Sequence, residues 1–175
     1  VKNKGITLPN HLFVMRHAKS SWDHPGLTDH DRPLNPRGLK DAPRMAEFLN
    51  RRKLAPTLLL SSSAKRAVTT AELLQCHLTK PPKWEVISDF YLAPPTVYLQ
   101  QINLLTDTES DVLLIGHNPG LEMLVQQLAG EYHRMPTAAI AAFQMDTTDW
   151  QSLSADRQPL RLLGVWRPKE IHSTT

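Results

Sequence analysis

Two polar turns, which lie a hundred residues apart, contain the side chains best suited to chemistry in this chain. Each turn follows a short apolar run that predicts a buried strand. The first turn begins with Arg16 and His17, and the second contains His117. Because the strands of an open parallel sheet bring their carboxyl ends to one edge, both histidines are expected at a common site. Two imidazoles beside a guanidinium favour phosphate chemistry.

Each of these side chains suits a different part of that chemistry. A neutral imidazole can attack phosphorus through one ring nitrogen when the other nitrogen donates a hydrogen bond, and His17 is the candidate. The planar guanidinium of Arg16 would bind phosphate oxygens. His117, in the tight turn 116–120, would donate a hydrogen bond to the charge that develops on the phosphoryl oxygens.

A third segment, 61–71, follows another predicted strand and contributes Arg66. A cation in the first turn of a helix opposes the helix dipole, and that arrangement is explained if Arg66 faces a phosphate. Ser62 or Ser63 is expected to cap this helix. The surrounding stretch 32–66 holds nine basic residues against two acidic ones, so it would attract anions.

The order of the predicted elements indicates the fold class. Strand-like and helix-like runs alternate, which is typical of α/β proteins with a mostly parallel sheet. The last two strands are joined by a polar turn without a helix, so they are expected to form an antiparallel pair at one sheet edge. The predicted strands cover 12–15, 57–61, 85–88, 112–115, 139–145 and 160–166, and the predicted helices cover 37–52, 64–78, 96–104 and 121–128.

Composition narrows the class of protein. With 175 residues, of which 41% are hydrophobic, the chain predicts a single domain over 1–175 with its core in about 10–166. The sequence has no membrane-spanning run and no signal peptide in its first residues, and its single cysteine excludes an internal disulfide. These features favour a cytoplasmic protein. Cys76 itself is expected in the core. No nucleic-acid motif accompanies the basic residues.

The combined motifs resemble the histidine phosphatase superfamily, which has the phosphoglycerate-mutase-like fold. Arg16-His17, Arg66 and His117 match its signature positions, although Ala18 stands where the family usually has glycine. The matching stretches are 16–22, 31–38 and 116–120, and they look like the SixA-type phosphohistidine phosphatase branch. The resemblance spans about residues 10–166, and it implies a three-layer sandwich with helices on both faces of a sheet of about six strands.

The resemblance also implies a mechanism. His17 would become phosphorylated, Arg16, Arg66 and His117 would hold the phosphoryl oxygens, and water would hydrolyse the phosphoenzyme. No metal and no cofactor are implied. Ser20 and Arg32 are further candidates for substrate binding, although Ser20 could instead cap the turn and Arg32 could pack locally. The loop 21–33 also carries Asp23-His24 and Asp29-His30-Asp31, which read as a solvated loop rather than a metal site.

A leaving-group acid is harder to find in the sequence. Asp89, which follows a predicted strand, is the nearest candidate. An alkoxide needs a proton donor to leave, whereas the imidazole of phosphohistidine can leave already protonated. A site without a strong acid therefore favours phosphohistidine and aryl phosphates over sugar phosphates.

Three functions remain open from the sequence. The first is a metal-independent phosphatase that acts on phosphohistidine of a protein. The second is a broad-specificity phosphatase for small phosphate esters or phosphotyrosine. The third is a non-catalytic module that binds phosphorylated partners. Retention of both His17 and His117 argues against the third function, because binding would need only the arginines. The sequence does not indicate an oligomeric state.

Overall fold

The computed structural model describes residues 10–106, 108–145, 149–153 and 159–171. The first residues of the chain, on which the prediction of no signal peptide depends, and most of the predicted turn 146–158 lie outside these ranges. In chain order the elements are β1 His11–Arg16, α1 Pro36–Arg52, β2 Leu58–Ser62, α2 Lys65–His77, β3 Lys83–Ile87, α3 Pro95–Ile102, β4 Asp111–Gly116, α4 Gly120–Ala129, β5 Ile140–Gln144 and β6 Arg161–Trp166.

The strands form one six-stranded sheet in the order β3-β2-β4-β1-β5-β6. Strand β4 is parallel to β1 and β2, and β2 is parallel to β3. Strand β5 runs in the opposite direction to the other described strands, since it is antiparallel to both β1 and β6. The prediction of a mostly parallel sheet with an antiparallel pair at one edge is confirmed.

Helices cover both faces of this sheet. On one face, α1 and α2 pack Met45, Leu49 and Leu74 against Phe13 and Leu113 of the sheet. On the other face, α3 and α4 bury a second cluster that includes Tyr98, Leu124 and the strand residues Val14 and Leu114. Side chains alternate along a strand, so β1 and β4 supply both clusters and read as continuous apolar runs. The predicted three-layer sandwich is confirmed.

Two sequence predictions about α2 are wrong. The residue before the helix is Ala64, and no side chain caps the helix there. Ser62 is instead the last residue of β2, and its hydroxyl is hydrogen-bonded to the ring of His117. Cys76 is exposed rather than in the core. The buried positions of α2 follow helical spacing and include Arg66, Thr70 and Leu74, and residue 76 lies about 200° around the helix from Leu74.

A close approach at the start of α4 predicts a stability effect. A Cβ at position 120 would overlap the backbone carbonyl oxygen of Ala93, which cannot rotate away. We expect Gly120→Ala to destabilise the protein by about 1–3 kcal/mol, although alanine normally favours a helix. The measurement is the free energy of unfolding in urea. Gly26→Ala is the control, because a Cβ there meets nothing within 4 Å. Equal stability of the two variants would contradict the close approach.

Candidate active site

The carboxyl ends of β1, β2 and β4 open into one cavity. These three strands are adjacent in the sheet, and Arg16 at the end of β1 pairs in register with Gly116 at the end of β4. The cavity has a volume of about 350 Å³. Its walls contain all four residues predicted to carry chemistry, together with Lys19, Ser20, Trp22, Asp29, Arg32, Leu92, Asn118 and Thr137.

His17 is buried with one ring nitrogen aimed into this cavity. Its Nδ1 lies 2.7 Å from the carbonyl oxygen of Ala18. A carbonyl only accepts, so Nδ1–H donates and Nε2 retains its lone pair. Nε2 accepts a hydrogen bond from Nε of Arg66 at 3.3 Å. The tautomer is therefore the one that nucleophilic attack requires.

Arg66 joins the two histidines. It lies in the first turn of α2, as predicted, and its guanidinium is 4% exposed. Besides the bond to His17, its Nη2 lies 3.4 Å from Nδ1 of His117. The two imidazole rings lie 5.0 Å apart, centroid to centroid. The guanidinium therefore bridges ring nitrogens of the two histidines.

His117 takes the opposite arrangement of its ring nitrogens. Nδ1 faces Arg66, which only donates, so Nδ1 accepts and Nε2–H points at Oγ of Ser62 at 2.8 Å. To donate to a phosphoryl oxygen, His117 must gain a proton on Nδ1 or change tautomer. The Ser62 hydroxyl can either accept or donate, so it satisfies Nε2 in both tautomers.

Burial determines the charge of both imidazoles. Burial lowers the pKa of His17 well below its ordinary value, and the neighbouring His117 and Arg66 add to this effect. Burial, together with the charge of Arg66, also lowers the pKa of His117 to about 3. Both rings are therefore neutral near pH 7, and the positive charge of the cavity comes from its guanidinium and ammonium groups.

Thr70 positions the segment after His17, and sequence reasoning missed it. Its hydroxyl accepts from the backbone N–H of Ala18 at 3.0 Å and donates to the carbonyl of Arg66 at 2.6 Å. One fully buried side chain thus ties the backbone beside His17 to the backbone of Arg66. The available signal was its spacing, because Thr70 lies one helical turn after Arg66.

Arg16 also lines the cavity. Its Nη1 donates to the carbonyl of Met135 at 3.1 Å, while its buried Nε has no partner among the described residues. Burial also lowers the pKa of Arg16. A buried guanidinium N–H without a protein partner is costly unless a ligand accepts it. A phosphoryl oxygen in the cavity would supply such an acceptor.

Asp29 lies in the cavity, which sequence reasoning did not predict. Its carboxylate pairs with Arg66 at 2.8 Å and with Arg32 at 2.8 Å, and it accepts from Tyr91 Oη at 2.8 Å. Partial burial alone would raise the pKa of Asp29, but the hydrogen bonds from Tyr91, Arg66 and Arg32 outweigh it and hold the pKa at about 2. A carboxylate that is ionised near neutral pH is therefore paired with Arg66 in the cavity wall.

The other predicted binding residues hold the loop that carries Asp29. Nε of Arg32 donates to the carbonyl of Ser21 at 3.0 Å, and Nη2 donates to Oγ of Ser20 at 2.6 Å. The guanidinium also stacks on Trp22, 3.2 Å from the ring centroid. Arg32 and Ser20 line the cavity, but the contacts that the structure gives them are local.

Asp89, the candidate acid, lies apart from this group. It is exposed in the short 3₁₀ turn Ser88–Phe90 and is absent from the described cavity wall, whereas Leu92 three residues later belongs to it. The described residues include no group of three His, Cys, Asp or Glu side chains that could hold a metal ion. No helix in the described part of the chain is long and apolar enough to cross a membrane.

Comparison with known proteins shows the family of this chain. A family model of the histidine phosphatase superfamily (branch 1) matches residues 12–88. Phosphohistidine phosphatase SixA of Escherichia coli K12 is 32% identical over 153 residues, which cover 80% of this chain and 91% of that protein. A crystal structure of a SixA-type protein from Agrobacterium tumefaciens has a TM-score of 0.77 and 28% identity, and it covers 92% of this chain and 100% of its own.

A second solved structure, the protein histidine phosphatase SixA complexed with tungstate, also has a TM-score of 0.77. It is 25% identical, and the match covers 91% of this chain and 97% of that chain. The chain therefore belongs to the histidine phosphatase superfamily, with SixA-type neighbours, and it is a phosphatase.

The contact between Asp29 and Arg66 predicts a change in anion affinity. We expect Asp29→Asn to bind inorganic phosphate several-fold more tightly, because the variant removes an anion that competes for the same guanidinium. The measurement is the inhibition constant of inorganic phosphate. Asp31→Asn is the matched control, since that carboxylate pairs with Thr28 and His30 of the same loop. Weaker phosphate binding in Asp29→Asn would show that the carboxylate organises Arg66 instead of competing with phosphate.

The lowered pKa of His117 predicts a pH dependence of stability. The unfolded chain binds a proton at this residue below about pH 6.5, whereas the folded protein does so only near pH 3, so acidification favours unfolding. We expect His117 to account for a loss of about 1–2 kcal/mol between pH 7 and pH 5. Urea unfolding at the two pH values should show a smaller loss in His117→Gln than in the wild type. His77→Gln, at an exposed histidine, should behave as the wild type, and equal losses in all three proteins would contradict the assignment.

Proposed function

We propose that this phosphatase removes the phosphoryl group from phosphohistidine of a protein, through a phosphorylated His17 and without a metal ion. The observation that carries the proposal is the tautomer of His17 in the cavity wall: Nδ1–H donates to the Ala18 carbonyl, and Nε2 keeps a lone pair that accepts from Nε of Arg66 until a phosphoryl oxygen takes over that N–H. The cations Arg16 and Arg66 supply the positive charge that a phosphoryl group needs.

In the first step, Nε2 of His17 forms a bond to phosphorus as the bond from phosphorus to the substrate nitrogen breaks. The electron pair of that bond returns to the leaving ring. When the second nitrogen of that ring is protonated, the product leaves as neutral imidazole. Arg16 and Arg66 hold the equatorial oxygens, and His117 donates from Nδ1 once it carries a proton there.

In the second step, water attacks the phosphorus of phosphorylated His17. The bond to Nε2 breaks, its electron pair returns to His17, and both protons of the water stay with the product as dihydrogen phosphate. His17 regains its starting tautomer, because the bond from Nδ1–H to the Ala18 carbonyl is kept throughout. The protons and electron pairs of the two steps therefore balance without a metal ion.

The charge state of the cavity supports phosphohistidine as the substrate. Asp29, with a pKa of about 2, is ionised near neutral pH, and His117 is neutral there, so neither is a ready proton donor in the resting site. An alkoxide leaving group needs such a donor. Phosphohistidine does not need one, because its leaving ring brings its own proton.

The relatives support the same substrate class. The Escherichia coli protein is a phosphohistidine phosphatase by name, and a SixA structure binds tungstate, a tetrahedral oxyanion with the shape of phosphate. Exposed apolar side chains at the mouth of the cavity also suit a protein surface. Trp22 is 72% exposed and Leu92 is 56% exposed, and both line the cavity.

Turnover of a phosphohistidine peptide by wild type and His17→Ala tests the proposal. We expect wild type to release phosphate in the presence of a chelator and to form an acid-labile, base-stable phosphoenzyme on rapid quenching. His17→Ala should lose at least about a thousand-fold in kcat, because the covalent route is removed. His77→Ala, at an exposed histidine outside the cavity, should retain full activity.

Any one of four results would overturn the proposal. Persistent activity in His17→Ala would exclude His17 as the nucleophile. Faster hydrolysis of a sugar phosphate than of the phosphohistidine peptide would exclude a substrate preference set by the lack of a proton donor. Faster hydrolysis of an aryl phosphate than of the peptide would favour the broad-specificity alternative. Binding of phosphate without any turnover would identify a binding module.

A further inference from the structure

A second cavity adjoins the catalytic one at Thr137, whose side chain belongs to both walls. It has a volume of about 160 Å³. One wall comes from α1, and the opposite wall comes from the segment after β6. Its lining residues are Arg37, Asp41, Arg44, Pro136, Thr137, Arg167, Pro168, Lys169 and Glu170. This cavity takes no part in the phosphoryl transfer described above.

The partition between the two cavities is bonded on both sides. Next to Thr137 in the chain, the N–H of Ala138 donates to the carbonyls of Arg16 and His17 at 3.0 and 3.1 Å. Facing the second cavity, Oγ1 of Thr137 accepts from Nη2 of Arg37 at 3.0 Å. The segment 137–138 thus connects the backbone at His17 with Arg37 in the wall of the second cavity.

The second cavity carries an excess of positive charge. Its wall contains four basic side chains (Arg37, Arg44, Arg167 and Lys169) and two carboxylates (Asp41 and Glu170), an excess of two positive charges. Both carboxylates pair with arginines of the wall, Asp41 with Arg37 at 3.5 Å and Glu170 with Arg167 at 3.0 Å. These cations thus already accommodate carboxylates, and the excess charge favours one more anion.

We propose that this second cavity binds an acidic side chain of the phosphorylated protein while the phosphohistidine occupies the catalytic cavity. The inference rests on the proposed function, because it assumes a protein substrate. A carboxylate side chain suits the excess of positive charge there, and it is the kind of partner that Arg37 and Arg167 already have. The phosphatase would accordingly prefer phosphohistidines that have an aspartate or glutamate within a few residues.

A series of phosphohistidine peptides tests the subsite. One glutamate is moved through three positions on either side of the phosphohistidine, and the reference peptide has glutamine throughout. We expect one register to raise kcat/KM about five-fold over the reference, through a lower KM, the effect of about 1 kcal/mol for a partly exposed ion pair. The preference should weaken at high salt.

Charge-removing variants locate the effect. In Arg37→Gln and in Lys169→Gln, the ratio of kcat/KM between the glutamate and glutamine peptides should fall towards one. Lys169→Gln is needed as a second variant because Arg37→Gln also removes the hydrogen bond to Thr137, which lines both cavities. Arg51→Gln removes the same charge from the far end of α1, outside both cavities, and should keep the wild-type ratio.

The outcomes separate this inference from the proposed function. If wild type hydrolyses all the peptides equally, the subsite is excluded while the phosphohistidine phosphatase activity stands. If wild type hydrolyses none of them, the proposed function is excluded, and the subsite inference, which rests on it, is excluded with it. A preference that appears only with small aryl phosphates bearing a second phosphate, and not with the acidic peptides, would assign the cavity to a small-molecule anion and overturn the inference.

Discussion

The buried guanidinium of Arg66 is held between two imidazoles and a carboxylate, and the site depends on this arrangement. Its N–H groups point at His17, His117 and Asp29, while its backbone carbonyl is tied through Thr70 to the segment after His17. A buried cation is tolerable only when such partners replace its lost hydration. Burial and this cation disfavour protonation of both rings, so Nε2 of His17 keeps its lone pair, which accepts from Nε of Arg66 in the resting site.

The sheet order explains why these residues meet. Strands β2, β4 and β1 are adjacent and parallel, so the segments that follow them emerge side by side at one edge. One delivers Arg66, the next His117, and the third Arg16 and His17. Gly116 and Gly120 allow close approach here, because a Cβ at either position would meet Tyr98 or Ala93.

Much of this arrangement could be predicted from the sequence. Continuous apolar runs identify strands buried on both faces, and the polar residues directly after them fall at the edge where open sheets bind ligands. That reasoning places Arg16, His17, Arg66 and His117 together, and the structure does the same. It succeeds because each of these residues is within a few positions of an element with a strong periodic signal.

The remaining parts of the site lack such a signal. Asp29 lies in an irregular loop, and its place depends on contacts with Arg66, Arg32 and Tyr91 that are distant along the chain. Ser62 reads as a helix cap because it precedes α2, yet its hydroxyl faces His117. Cys76 shows the same limit, since apolar neighbours in sequence do not fix which face of a helix is buried.

The carboxylate on Arg66 has a consequence for how the enzyme would finish each cycle. Since Asp29 already pairs with this guanidinium, entry of a phosphoryl group would be an ion exchange in which one anion replaces another. The reverse exchange would accompany product departure, with the loop returning its own anion as inorganic phosphate leaves. Arg66 would then always have an anionic partner, so it would never be a buried charge without a counterion. Inorganic phosphate would bind less tightly for the same reason. Such a site would bind phosphate less tightly in the ground state and would release it faster.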